Sequence, residues 1–67
     1  MNILVNTVSQ TITESSRVSD LLREINMDSK AGIAVAVNNG VISRKDWEST
    51  ELKENDKVTI IHATQGG

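Results

Sequence analysis

Only one stretch of this chain repeats its apolar residues at helical spacing. Val18, Leu21, Leu22 and Ile25 fall at i, i+3, i+4 and i+7, which gathers all four on one face and turns Asp20, Arg23 and Glu24 elsewhere. The other apolar segments are short and β-prone. A chain of 67 residues with a single helix can bury that stripe only against a sheet, and the sheet needs the helix to cover its own apolar face. Ser16 is the expected N-cap, since its hydroxyl can accept from an unpaired backbone N–H, and Ser19 is the alternative. Asp20 falls in the first turn, where the helix dipole favours an anion. Asn26 is placed to close the helix.

The strands follow from period-two patterns. Ile3 and Val5 share one side of the first segment, with Asn2, Leu4 and Asn6 on the other, where Leu4 interrupts a polar face. Thr11-Ile12-Thr13 is a second β-prone segment, and Asn6-Thr7-Val8-Ser9-Gln10 suits the hairpin connection between them. Ile33, Val35 and Val37 alternate with Ala34 and Ala36. Asn38-Asn39-Gly40 follows, and its Asn-Gly pair accepts the positive φ values of a type I′ turn before Val41-Ile42 returns. From Trp47 to Glu54 no period is visible; Asn55-Asp56 then signals a turn, and a last strand runs from Lys57 to His62.

The last strand must lie inside the sheet to hide Val58 and Ile60. With the first strand as its neighbour, that pair is parallel and the helix region supplies the crossover. The expected fold is α+β: a β-grasp, with a four- to five-stranded mixed sheet and one helix packed across it. Residues 1–67 read as one domain, with 63–67 as a flexible tail. At this length only about 60% of the unfolded chain's surface is buried, which leaves little room for a deep internal pocket.

Composition narrows the function. Seven basic and nine acidic residues are interspersed and give a net charge of -2, so there is no basic stripe for nucleic acid. Trp47 is the only aromatic residue, too few for a base-stacking platform, and it is expected to cover the sheet edge or the helix end rather than to serve as a partner hot spot. There is no cysteine, hence no thiolate nucleophile, disulfide or cysteine-ligated metal, and His62 has no partners at metal-ligand spacing. Ser16, Ser19, Asp20 and His62 sit at capping and strand positions that explain them without a catalytic triad. Gly32 and Gly40 are isolated and make no phosphate-cradling loop. Residues 1–5 lack the regions of a signal peptide and no run approaches bilayer length, so a cytoplasmic protein, monomeric when free, is expected.

The C-terminal end carries the strongest functional signal. Gly66-Gly67 follows a strand-like run, and a tail without Cβ atoms can enter a channel too narrow for other residues and present its carboxylate there. From Ala63 to Gly67 such a tail extends at most ~17 Å. If Val58 and Ile60 point inward, Thr59 and Ile61 point outward just before it, which makes them candidates for partner docking.

Gly32-Ile33-Ala34-Val35-Ala36-Val37-Asn38, Val41-Ile42-Ser43-Arg44, Trp47, the run from Leu52 to Ile61 and the ending Ala63-Thr64-Gln65-Gly66-Gly67 together resemble the ThiS family. These are small, ubiquitin-like sulfur carriers of thiamine (thiazole) biosynthesis. The resemblance spans the chain and rests on the order and spacing of motifs that are individually weak. Asn55 stands where the family usually has Gly, and asparagine tolerates the positive φ of such a turn. Ser43 stands where proline is frequent.

The resemblance implies a carrier that is not itself an enzyme. Its Gly67 carboxylate would be adenylated by a ThiF-like enzyme using ATP and Mg, then converted to a thiocarboxylate by a sulfur donor such as a cysteine desulfurase. A ThiG-like thiazole synthase would receive the sulfur. Gly66, Gln65 and Thr64 would enter the partner's active site, with Ile61 and Thr59 docking outside it. A chain without cysteine is compatible with sulfur carried at the terminus. The small subunit of molybdopterin synthase, a ubiquitin-like modifier and an interaction module with an inert tail are the alternatives. The molybdopterin family tends to be longer, with aromatic and proline residues near its end, which this chain lacks.

Overall fold

Ile3, Val5, Val35, Val58 and Ile60 turn to one side of a five-stranded sheet, where they meet Val18, Leu21 and Leu22 of the helix in a shared core. The computed structural model describes residues 1–27 and 32–62. The elements are β1 (Asn2–Val5), β2 (Val8–Thr11), α1 (Val18–Glu24), β3 (Ile33–Val37), β4 (Gly40–Ile42), a 3-10 turn (Arg44–Asp46) and β5 (Lys57–His62). Their order across the sheet is β2-β1-β5-β3-β4, with β1 parallel to β5 and the other pairs antiparallel. The last strand is therefore central and parallel to the first, as the need to hide Val58 and Ile60 requires. None of the described helices is long and apolar enough to cross a membrane.

The first hairpin is tighter than the sequence suggested. Asn6 and Thr7 both adopt left-handed φ (49° and 70°), and Val5 pairs directly with Val8. The second strand therefore starts at Val8 and ends at Thr11, rather than occupying Thr11-Ile12-Thr13. A two-residue turn of this hand matches the right-handed twist of the strands it joins. Ile12 leaves the strand and enters the core, its N–H donating to the Met1 carbonyl at 2.8 Å.

Neither serine caps the helix. Arg17 is the N-cap, and the Asp20 carboxylate accepts from its backbone N–H at 2.9 Å. The next two amides, of Val18 and Ser19, donate to the carbonyls of Thr50 and Trp47 at 3.0 and 3.1 Å. The aperiodic segment thus satisfies helix donors that otherwise need a side-chain cap. Ser16 instead donates its hydroxyl to Thr13 O. At the other end Asn26 is left-handed (φ 63°), with Asn26 N donating to Arg23 O and Met27 N to Leu22 O. This is a Schellman closure, which confirms the part expected of Asn26.

The second hairpin differs from expectation by one position. Asn38 and Asn39 are the left-handed pair (φ 51° and 72°), and Gly40 already pairs with Val37. Asn38 also clasps the turn before β5: its Nδ2 donates to Asp56 Oδ1 at 2.9 Å and its Oδ1 accepts from Lys57 N at 3.0 Å. These two hydrogen bonds favour Asn38 inside the turn. Trp47 is buried among core residues, with its indole N–H donating to Ile42 O on the edge strand at 3.1 Å. It joins sheet edge to helix start and is a core residue; Arg44 lies over its ring at 4.6 Å.

Candidate functional site

Strand β5 alternates as its sequence dictates: Val58 and Ile60 are buried, while Thr59 and Ile61 face outward. On its β3 side the strand is paired throughout, from Val37 opposite Val58 to Ile33 opposite His62. On its β1 side main-chain pairing stops early, because β1 turns away at Asn6. The Asn6 side chain takes over, its Oδ1 accepting from Ile60 N at 2.8 Å, while Asn6 N donates to Val58 O at 2.9 Å. The strand is thereby held from both sides up to Ile60 and from one side up to His62.

Among the described residues no helix covers the outer face of the sheet. Register places Ala34 beside Ile61, and Ala36 between Thr59 and Val41. With Ala34 on one side and β1 already turned away on the other, Ile61 is 55% exposed; Val41, opposite Ala36, is 78% exposed. Leu4 lies beside Lys57 in the parallel pair, and a groove lined by Leu4, Asn6, Thr7, Lys57, Val58 and Thr59 runs between β1 and β5. Lys57 is the only charge that strand alternation puts on this face among the described residues. The face is thus weakly apolar, sparsely charged and continuous with the end of β5.

The outward setting of Thr59 and Ile61 agrees with the sequence reading. Thr64, Gln65, Gly66 and Gly67 lie outside the described residues. His62 is exposed at the end of β5, and no group of three His, Cys, Asp or Glu able to hold a metal occurs among the described residues. Ser16, Ser19 and Asp20 have the backbone duties given above, remote in sequence from β5. Sequence reasoning missed the exposed Val41, although its alternation with Ile42 signalled it. The role of Asn6 was also missed, because side-chain pairing over 54 positions leaves no local pattern.

The sequence profile of the ThiS family matches residues 3–67. The sulfur carrier protein ThiS of Escherichia coli (strain K12) is 25% identical over 67 residues, covering all of both chains. A crystal structure of the thiamine biosynthesis protein ThiS from Geobacter metallireducens superposes with a TM-score of 0.86 at 29% identity, over the full length of both chains. A solution structure of a thiamine biosynthesis protein from the same organism gives a TM-score of 0.79 at 29% identity, covering all of this chain and 88% of the other.

Proposed function

The chain belongs to the ThiS family, and from that premise we propose that it is a sulfur carrier of thiamine biosynthesis, charged at the Gly67 carboxylate. The observation that carries the reading is the family match itself, which continues through the diglycine to residue 67. The central strand held up to His62, and the weakly apolar face beside it, suit a domain that docks while its end is worked on by another protein.

The chemistry asks little of this chain beyond presentation. A carboxylate is ionised at neutral pH and has no good leaving group, so it needs activation. The Gly67 carboxylate oxygen attacks the α-phosphorus of ATP held with Mg²⁺ by a ThiF-like partner, and pyrophosphate leaves. A persulfide, supplied by a donor such as a cysteine desulfurase, then attacks the acyl carbon and displaces AMP; a thiol cleaves the resulting acyl disulfide by exchange, releasing the thiocarboxylate and leaving a disulfide on the donor side. A ThiG-like thiazole synthase takes the sulfur. Gly66 and Gly67 fit a narrow channel, Thr64 and Gln65 span its mouth, and Ile61 with Thr59 contacts the partner outside. The protein acts as a co-substrate, cytoplasmic and monomeric when free, and the catalytic groups belong to its partners.

Intact-protein mass spectrometry tests this. The chain is incubated with ATP, Mg²⁺, its ThiF-like partner and a sulfide source. The expected product is heavier by the exchange of one oxygen for sulfur, mapped to Gly67. No exchange, with the partner shown active on another carrier, overturns the reading.

A further inference from the structure

The tip of the β3–β4 hairpin places two asparagines side by side with opposite fates. Asn38 has both ends of its amide engaged, by Asp56 and by the Lys57 amide. Asn39 is exposed, and its side chain has no hydrogen-bond partner among the described residues. Gly40 follows it, also exposed, and has no Cβ to obstruct approach of its own nitrogen to the Asn39 side chain.

We propose that Asn39 is a site of spontaneous deamidation through a succinimide, and that the hairpin sets its rate. The deprotonated Gly40 amide nitrogen attacks Asn39 Cγ, forming an N–C bond; the side-chain nitrogen leaves as ammonia, closing the ring. Water then opens the ring at either carbonyl, giving aspartate or isoaspartate, with nothing oxidised or reduced. While Gly40 remains paired with Val37 and Asn39 stays left-handed, that nitrogen is committed to the closing pair of the turn. Attack therefore requires the hairpin end to open, the kind of local fluctuation to which edge strands and turns are most prone. The product places a new negative charge at the tip. Where it is isoaspartate, an additional backbone carbon breaks the two-residue turn and loosens β4.

The other left-handed asparagines provide internal controls. Asn6, Asn26, Asn38 and Asn55 are followed by Thr7, Met27, Asn39 and Asp56, each with a Cβ. The Asn6 side-chain oxygen, Oδ1, is also occupied by Ile60 N–H.

The test is to incubate the full chain in mildly alkaline buffer at body temperature and map the peptides by mass spectrometry, with an isoaspartate-sensitive assay. The expected result is replacement of NH₂ by OH at Asn39, about tenfold slower in the folded than in the urea-unfolded chain, equivalent to an opening cost of ~1.4 kcal/mol. Gly40→Ala should slow the reaction at least as much without unfolding the protein. A Cβ at Gly40 meets only Val37 O, at an ordinary 3.5 Å, and Gly40 is not among the positive-φ glycines. Asn39→Gly, which suits the left-handed position, should abolish the mass gain entirely. Equal rates in the folded and unfolded chains, an Asn39 still unmodified in the folded chain after many times the period that converts the unfolded chain, a gain at another asparagine instead, or undiminished conversion in Gly40→Ala each overturns the proposal.

Discussion

Asn6 finishes the job that strand β1 leaves undone: its side-chain carbonyl accepts from the Ile60 amide at 2.8 Å, in the place the next residue of β1 would have held. Two properties of asparagine meet here, tolerance of the left-handed φ of 49° and a short side chain with an acceptor. Asn6→Ala removes both and leaves a part-buried N–H without a partner, so a loss of about 2 kcal/mol is expected. Asn6→Gly keeps the turn but not the acceptor and should lose about half as much. The whole domain is expected to have only ~3–10 kcal/mol of stability, so both changes are readable by urea unfolding followed by circular dichroism. An Asn6→Ala midpoint equal to the parent's would show that the bond contributes nothing in solution.

Thr7 is the misfit in the same turn. A β-branched residue at φ 70° is strained, and its hydroxyl merely donates to the neighbouring Asn6 carbonyl. Thr7→Gly creates the Asn-Gly pair that two-residue hairpins of this hand prefer. A gain of about 0.5–1 kcal/mol is expected, after the greater flexibility of unfolded glycine is subtracted. For a domain of this size that raises the thermal midpoint by roughly 2–8 °C. A lower midpoint would mean that Thr7 is not left-handed in the native protein.

What the sequence made legible was whatever one element decides alone. The Val18, Leu21, Leu22 and Ile25 stripe marks the helix, and the alternation of Lys57–His62 marks both the strand and the outward setting of Ile61. The central, parallel place of β5 followed from the need to cover both flanks of an apolar strand. What escaped depended on distant partners. Ser16 looked like a cap, but the backbone of Trp47 and Thr50 arrives to occupy the helix amides. Asn39-Gly40 looked like the turn pair, but Asn38 is drawn into the turn by its clasp on Asp56 and Lys57. Leu52, in an aperiodic run, is 2% exposed because that run is folded over the helix start. For the candidate site, the exposed Thr59–Ile61 face was readable from alternation, whereas the hold of Asn6 on β5 was not.

Ile61 separates docking from stability. It is 55% exposed on a central strand, so Ile61→Asp should cost no more than ~1 kcal/mol, from lost β-propensity. If the face docks the adenylating partner, affinity should fall at least about tenfold, or ~1.4 kcal/mol. Titration calorimetry gives the second number and a thermal melt the first. A large loss of stability would place Ile61 in the core, and unchanged affinity would remove it from the interface.

The diglycine should behave in the opposite way to Asn6, governing loading and leaving the fold alone. The core cluster runs from Ile3 to Ile60, and the β5 ladder is complete at His62. Gly66 follows both in the sequence, and with Gly66→Trp the urea midpoint should stay within about 0.5 kcal/mol of the parent's. If the tail enters a channel shaped to residues without Cβ atoms, the indole is too wide for it, and exchange of oxygen for sulfur should fall below detection under conditions that load the parent completely. One alanine added after Gly67 should do the same by a different route, since it moves the carboxylate ~3.5 Å further along the tail and onto a residue with a side chain. The two variants fail for unrelated reasons, width in one and reach in the other. Loss of loading in both, with both still folded, therefore identifies the Gly67 carboxylate as the group charged, and normal loading in both rules that out.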